Sequence, residues 1–111
     1  MPNPTFFIKQ NDNTPRLDVA LQDDKGRPVD LTGATIVFHM RNSADDTLKI
    51  DGGATDILVA TRGELRYSWT VANTNTAGNF EAEFQVTYPD TTIQTFPDDG
   101  YIDVIITDDV S

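Results

Sequence analysis

The sequence predicts an all-β domain of about seven or eight short antiparallel strands. Apolar and polar side chains alternate in several segments, most clearly in residues 78–90. Glycine, proline, asparagine and aspartate interrupt these segments roughly every eight to twelve residues. No window of helical length shows a period of 3.6 residues. These patterns are typical of a β-sandwich or a small barrel, and they do not distinguish the two.

Residues 78–90, GNFEAEFQVTYPD, form the clearest strand. One side of the extended backbone carries Phe80, Ala82, Phe84, Val86 and Tyr88. The other side carries Glu81, Glu83, Gln85 and Thr87. A strand with one apolar and one polar face borders both core and solvent, so we expect this one to lie centrally in a sheet.

The first half of the chain contains three further strands. Residues 1–4 hold two prolines and are expected to form an extended arm. The predicted strands that follow are residues 5–9, 16–22 and 34–41. In the first of them, Phe6 and Ile8 share one face and Phe7 lies on the opposite face.

The second half continues the same pattern. Residues 48–60 flank a glycine pair and predict one short edge strand. The remaining segments are a strand at 64–70, a polar connection at 71–77, a hairpin partner at 91–96, a last strand at 101–107 and a polar tail at 108–111. The whole chain, residues 1–111, is therefore expected to be one domain, with Phe38, Trp69, Phe80 and Phe84 in its core.

Composition restricts the possible partners. There are 18 acidic and 8 basic residues, so the formal charge is 8 − 18 = −10. Such a charge repels nucleic acid and anionic lipid, and we predict neither as a partner. No apolar run approaches the ~20 residues of a membrane helix. Cysteine is absent, which excludes disulfides, thiolate metal sites and cysteine nucleophiles.

Catalytic chemistry has little support in the sequence. His39 is the single histidine, and it lies mid-strand on the polar side. A nucleophilic triad needs a base beside an activated nucleophile, and no such pattern surrounds His39. We therefore predict that the protein is not an enzyme and needs no cofactor.

Metal binding is a weaker alternative. A calcium site needs six to eight oxygen ligands, which converging acidic loops can supply. Four aspartates could converge if their loops share one end of the molecule: Asp12, Asp98, Asp99 and Asp103. The spacing of a calcium-binding EF-hand loop is absent, and acid-rich turns are the favoured interpretation of the same residues.

Several segments together resemble one known family. They are FFIKQNDNTPRLDVAL, DDKGRPVDLTGATIVFHMR, GELRYSWT, AGNFEAEFQVTYPD and TIQTFPDDGYIDVII, in that order. The chain resembles the immunoglobulin-like domain found at the N-terminus of phage baseplate upper proteins and in short stand-alone tail proteins of siphophages. The stretch from Gly26 to Thr35, GRPVDLTGAT, is the most distinctive match. The resemblance implies an immunoglobulin-like β-sandwich and, given the length of the chain, the stand-alone form.

The resemblance also implies that the protein has a structural role in the virion. It would be synthesised in the cytoplasm of the bacterial host and then become part of the particle. The expected partners are other virion proteins, in the tail, baseplate or capsid, contacted by many copies in a symmetric assembly. The N-terminal arm, residues 1–4, and Phe7 are the first candidates for such a contact. The edge of residues 91–96 is the second, with Thr91, Ile93 and Thr95 as its candidate residues.

Two other functions stay open at this point. A capsid decoration protein belongs to the same structural class and differs in its place on the particle. A carbohydrate-binding module for host adhesion needs exposed aromatic side chains. Tyr67 and Trp69 are expected to face inward, whereas Tyr88 and Tyr101 lie near turns and leave this alternative open.

Overall fold

Nine strands and two short helical turns form the part of the chain that the computed structural model describes, residues 4–97 and 100–110. The turns are a 3-10 turn at Ala60–Arg62 and α1 at Val71–Thr74. The strands are β1 (Thr5–Lys9), β2 (Leu17–Ala20), β3 (Thr35–Asn42), β4 (Leu48–Ala54), β5 (Asp56–Val59), β6 (Glu64–Tyr67), β7 (Gly78–Thr87), β8 (Ile93–Phe96) and β9 (Ile102–Thr107).

The strands form two sheets that pack as a sandwich, which confirms the predicted fold class. The larger sheet has the order β1-β9-β7-β3-β4, with β8 also paired to β7. The smaller sheet has the order β2-β6-β5. The structure differs in two details from the expected arrangement of about seven or eight antiparallel strands. The described residues form nine strands, and β1 runs parallel to β9.

The core lies between the inward faces of the two sheets. Phe38 of β3 is fully buried, and its ring lies 4.3 Å from the ring of Tyr67 on β6, in a stacked arrangement. The same ring lies 5.0 Å from Phe84 and meets Trp69 edge-on at 5.7 Å. Such contacts add to the ~1.5–3 kcal/mol that burial of each large apolar side chain contributes. All four predicted core aromatics, Phe38, Trp69, Phe80 and Phe84, are buried.

Strand β7 lies at the centre of the larger sheet, as its alternation predicted. One edge pairs with β3 from Phe80 to Thr87. The other edge is shared, because β9 pairs with residues 78–82 and β8 with residues 84–87. Both β8 and β9 run antiparallel to β7, and they occupy successive parts of the same edge of β7, on either side of Glu83. The hairpin predicted at residues 91–96 is thus confirmed.

Residues 48–60 form two strands where the sequence analysis predicted one. Strand β4 joins the larger sheet and β5 the smaller, so the chain crosses between the sheets near Thr55. Gly53 makes the crossing possible, since a Cβ there would lie 2.8 Å from the Tyr67 ring. The glycine pair lies inside β4 and weakens its strand signal, so β4 and β5 together look like one weak strand when their neighbours are unknown.

The polar connection at 71–77 contains a helical turn that the sequence analysis did not predict. Asn73 holds it in place: its Oδ1 accepts hydrogen bonds from the Thr70 amide and the Tyr67 hydroxyl, both at 2.9 Å. These bonds also explain why β6 ends at Tyr67 and not at residue 70. One turn is too short to show helical periodicity.

The distinctive GRPVDLTGAT stretch serves to shape the loop between β2 and β3. The Asp23 carboxylate accepts hydrogen bonds from the amides of Lys25 and Arg27, and Gly26 supplies the positive φ of +77° between them. The Asp30 carboxylate accepts hydrogen bonds from the amide and hydroxyl of Thr32. These local bonds leave Leu31 fully buried in the core.

Gly63 offers a test of how tightly the loops are packed. Its φ is +65°, and a Cβ would lie 2.6 Å from the carbonyl oxygen of Leu21. Gly63→Ala is expected to lower the free energy of unfolding by about 3 kcal/mol or more, from the clash and the left-handed backbone together. Urea denaturation followed by circular dichroism measures the change.

The matched control is Gly26→Ala, with a similar φ of +77° and no heavy atom within 4 Å of the new Cβ. This variant is expected to lower the free energy of unfolding by only about 1 kcal/mol, because it introduces the strain of a left-handed backbone without a steric clash. Equal losses for the two variants would contradict the close approach of Gly63 to Leu21.

Candidate assembly surface

The first candidate for a partner contact, Phe7, lies on edge strand β1 of the larger sheet. Burial alternates along this strand as predicted: Ile8 is buried, Phe6 stacks on Trp69 at 5.7 Å, and the Phe7 side chain is 61% exposed. In the β1–β9 register Phe7 is aligned with Ile105, which is half-buried on the same face. Together they place an apolar spot at the edge of an otherwise polar face.

The second candidate edge, β8, shows a mixed outcome. Ile93 is 61% exposed and Thr95 is half-buried opposite Gln85. Thr91 lies outside the strand, in a turn where its φ is +72° and its amide donates to the carbonyl of Tyr88. Thr91 therefore shapes the hairpin instead of lining the strand edge.

The two candidate edges lie far apart. Phe7 is aligned through Ile105 with Asn79 at one end of β7, and Ile93 is aligned with Thr87 at the other end. Eight residue steps of strand correspond to about 26 Å. Phe7 and Ile93 therefore belong to separate surfaces, and one small partner segment does not cover both.

Between these edges, the outward face of the larger sheet carries a shallow groove of about 340 Å³. The side chains that define its chemistry are His39, Arg41, Glu81, Glu83, Gln85 and Tyr101. They come from β3, β7 and the segment before β9, so the sheet register brings them together. Adjacent rows of opposite charge on β3 and β7 were the sequence signal for this cluster.

An ion-pair network organises one end of the groove. The Arg41 guanidinium donates to a Glu81 carboxylate oxygen at 2.8 Å and lies 3.6 Å from Asp46. The Tyr101 hydroxyl donates to the same Glu81 carboxylate, and this bond, followed by Arg41, holds the pKa of Glu81 below its ordinary value. The bond to Glu81 also raises the pKa of Tyr101. These groups satisfy one another and tie the segment before β9 to the sheet.

His39 occupies the other end and acts as a cross-strand tie. Its Nδ1 accepts the amide hydrogen of Gly52 at 3.2 Å, and its Nε2 lies 3.4 Å from Oε1 of Gln85. Nδ1 is also 3.4 Å from the Asp51 carboxylate. Because Nδ1 uses its lone pair for Gly52, the proton of the neutral ring resides on Nε2.

The groove lacks the parts of a nucleophilic site among its described lining residues. These residues include no serine, threonine or cysteine beside His39. A base without an activated nucleophile supports no acyl-transfer chemistry of the triad type. The arrangement offers hydrogen-bond acceptors and one neutralised ion pair, which suits binding and structural support.

The calcium candidates are not brought together as far as the structure describes them. The Asp12 amide donates to the carbonyl of Lys9, and the Asp103 amide to that of Pro4. These two aspartates therefore lie at opposite ends of β1, about 13 Å apart along the strand. Asp98 and Asp99 lie outside the described residues. Within residues 4–97 and 100–110, no three carboxylate or imidazole groups are placed to hold a metal ion.

The tyrosines that left carbohydrate binding open are both engaged. The Tyr88 hydroxyl donates to Gln94 at 2.8 Å, and the Tyr101 hydroxyl to Glu81. Both rings are half-buried. Phe7 is the one aromatic side chain among the exposed large apolar residues that the structure describes. No helix in the described structure has the length and apolar character to cross a membrane.

Comparison with known proteins adds a family and a fold. A family model described as the BppU N-terminal domain, the N-terminal domain of a baseplate upper protein, matches residues 3–96. A solved structure, CopC from Methylosinus trichosporium OB3b, is similar in fold at 14% sequence identity and a TM-score of 0.55, covering 99% of this chain and 90% of that one. No curated protein matches the chain.

The Tyr101–Glu81 bond predicts a pH-dependent contribution to stability. The pKa of Glu81 is lower in the folded state than in the unfolded state. The ionised Glu81 therefore stabilises the fold at pH values above its pKa in the unfolded state, and this stabilisation is lost as the pH falls through its pKa in the folded state. Tyr101→Phe is expected to destabilise the protein at pH 7 and to differ little from the unmodified protein at strongly acidic pH. Urea denaturation across pH 2–7 tests this.

Carboxyl NMR of Glu81 supplies the independent readout, with its pKa expected to rise in the Tyr101→Phe variant. The matched control is Tyr88→Phe, which removes a hydroxyl that bonds to an uncharged amide. If the stability difference for Tyr101→Phe were the same at all pH values, the hydroxyl would not stabilise the ionised carboxylate.

Calcium binding is tested by chelation. We expect EDTA to leave the melting temperature unchanged, because the described carboxylates form turns and ion pairs and no ligand cluster. Differential scanning calorimetry with and without added calcium measures this. A fall of several degrees with EDTA, reversed by calcium, would instead implicate the acidic loops, including residues 98–99.

Proposed function

The chain belongs to the BppU N-terminal domain family, a family of phage baseplate structural domains, and on this premise we propose that it is a tail or baseplate component of a bacteriophage. It acts by protein–protein contact, in several copies placed by the symmetry of the particle. The single observation that carries the proposal is the family match across residues 3–96.

The surface of the molecule supports this function. A rigid two-sheet core presents exposed strand edges, and the larger sheet ends in β1 with the exposed Phe7. An exposed aromatic at a regular edge is a suitable anchor for a neighbouring subunit. Modest contacts of this kind, repeated around a symmetric ring, give stable assembly through effective concentration.

The acidic charge fits the same role. A formal charge of −10 keeps free copies apart before assembly and favours partners with basic surfaces. It also opposes binding to nucleic acid. We therefore propose other virion proteins as the partners, and the virion as the location.

The other hypotheses have less support from the described side chains. Capsid decoration uses the same kind of contact and is separated from the proposal by position on the particle. For carbohydrate binding, both candidate tyrosines have engaged hydroxyls and half-buried rings. Catalysis is disfavoured by a family that is structural and by a groove whose described lining has no nucleophile.

Incorporation into particles tests the proposal. Phe7→Asp is expected to fold normally and to fail to enter the particle, because a carboxylate replaces the apolar anchor on an exposed site. Mass spectrometry of purified particles measures incorporation, and immunogold electron microscopy of the unmodified protein locates it. We expect labelling at the tail end.

The matched control is Leu58→Asp, which adds the same charge at an exposed apolar residue of the smaller sheet. It is expected to incorporate normally. Normal incorporation of Phe7→Asp would remove Phe7 as the anchor, and labelling spread over the capsid would replace the tail assignment with capsid decoration.

A further inference from the structure

The edges of the two sheets differ in how well they are protected against pairing with another chain. Strand β4 is irregular, with two register shifts against β3 and Gly52 at φ +81°. Strand β5 also carries a register shift and begins at Asp56. Strands β2 and β8 have only four residues each. Bulges, charges and shortness are the usual means of blocking an edge.

Strand β1 lacks these protections. Its sequence, TFFIK, contains no glycine or proline, and its register with β9 is unbroken from Thr5 to Lys9. Its single charge, Lys9, lies at the end of the strand. A regular, largely apolar edge strand is a template for a further strand.

The hydrogen bonds of β1 show which groups this edge offers. The carbonyl of Pro4 accepts from the Asp103 amide, and the Gln10 amide donates to the carbonyl of Thr107. In a parallel pair, alternate residues bond to the same neighbour, so even-numbered residues 4–10 face β9. The backbone groups of Thr5 and Phe7, and the amide of Lys9, therefore point away from β9.

No described residue covers these outward groups. The carbonyl of Lys9 is used by the Asp12 amide, but the amides and carbonyls of Thr5 and Phe7 have no backbone partner within residues 4–97 and 100–110. Phe7 thus presents both its side chain and its backbone to an incoming strand. A row of donors and acceptors with an apolar anchor is what β-strand addition requires.

Charge selects the kind of strand that fits. Asp103 lies beside Thr5 in the register, Asp12 and Asp108 follow the ends of β1 and β9, and Lys9 is the charged residue within β1. A second copy of the chain brings another formal charge of −10 to the same place. Like charges oppose pairing between two copies, whereas basic side chains complement these aspartates.

We propose that the outer edge of β1 binds an extended segment of a different protein by strand addition, and that this segment carries an apolar and a basic side chain two residues apart, on one face of the strand. The apolar side chain packs against Phe7 on the outward face, and the basic side chain two residues away lies on that same face and approaches Asp103, because Thr5, Phe7 and Asp103 share it. This inference rests on the proposed function, because it names the class of partner that the assembly surface accepts.

The test uses the isolated full chain and a defined probe, a blocked heptapeptide of threonine that contains one lysine and one valine two residues apart, so that both lie on one face of the added strand. Titration followed by ¹⁵N NMR is expected to shift the amides of Thr5, Phe7 and Lys9 in a saturable manner. Their hydrogen exchange is expected to slow by about tenfold or more in the complex. The matched control, with glutamate in place of lysine, is expected to cause no shift at the same concentration.

A backbone variant separates strand addition from simple charge attraction. Phe7→Pro removes an amide that points away from β9, so the β1–β9 ladder is expected to survive and peptide binding to weaken by about tenfold. Protection of the Phe6 and Ile8 amides from exchange reports whether the ladder is intact. If it is not, Thr5→Pro removes the next outward amide at the start of the strand and serves the same purpose.

Four results would overturn the inference: no shift at millimolar lysine peptide, equal binding of the glutamate peptide, shifts confined to another edge, or unchanged affinity in the proline variant with an intact ladder. Dimers of the pure chain that protect Thr5 and Phe7 would also overturn it, in favour of a second copy. The proposed function fails separately, when the chain is absent from particles even though the peptide titration succeeds.

Discussion

The contact of the Phe38 ring with Tyr67 connects the two sheets of this protein. Phe38 comes from β3 of the larger sheet and Tyr67 from β6 of the smaller, and their rings lie 4.3 Å apart in a stacked arrangement. The Tyr67 hydroxyl in turn donates to Asn73, which holds the helical turn α1. Gly53 must lack a side chain so that the Tyr67 ring fits. Core packing, the crossing between sheets and the end of β6 therefore all depend on the position of one aromatic pair.

This arrangement determines which surfaces are available to partners. Once one face of each strand is committed to the core, the outward face of the larger sheet carries the charged rows of β3 and β7. The Arg41–Glu81 ion pair joins these rows, and the Tyr101 hydroxyl completes the network. The centre of the face is thus polar and internally satisfied, whereas the edge at β1 keeps an exposed Phe7 and outward backbone groups. Binding at that edge would displace no existing ion pair, unlike binding at the centre.

The family match and the fold give consistent information at different levels. The match to the BppU N-terminal domain covers residues 3–96 and indicates a phage structural role. The similarity to CopC, at 14% identity, concerns the sandwich architecture alone. In the distinctive GRPVDLTGAT stretch, Asp30 and the glycines shape the loop that delivers Leu31 to the core, together with Asp23 just before the stretch. That signature is structural, and it does not itself form a binding site.

Much of the fold could be predicted because strand alternation is a local property. The period of two assigned the buried faces of β1, β3 and β7 correctly, and turn residues located the β7–β8 hairpin. Three features depend on contacts between distant residues, which no local pattern records. They are the parallel pairing of β1 with β9, the division of residues 48–60 between two sheets and the turn held by Asn73.

The same holds for the candidate site: exposure of Phe7 follows from alternation within β1, but the Arg41–Glu81–Tyr101 network exists only because the register aligns three separate segments. Sequence thus determined which side of each strand faces the core, while tertiary structure decided which strands are neighbours and which edge stays open, because hydrophobic burial acts residue by residue whereas strand pairing depends on the whole sheet.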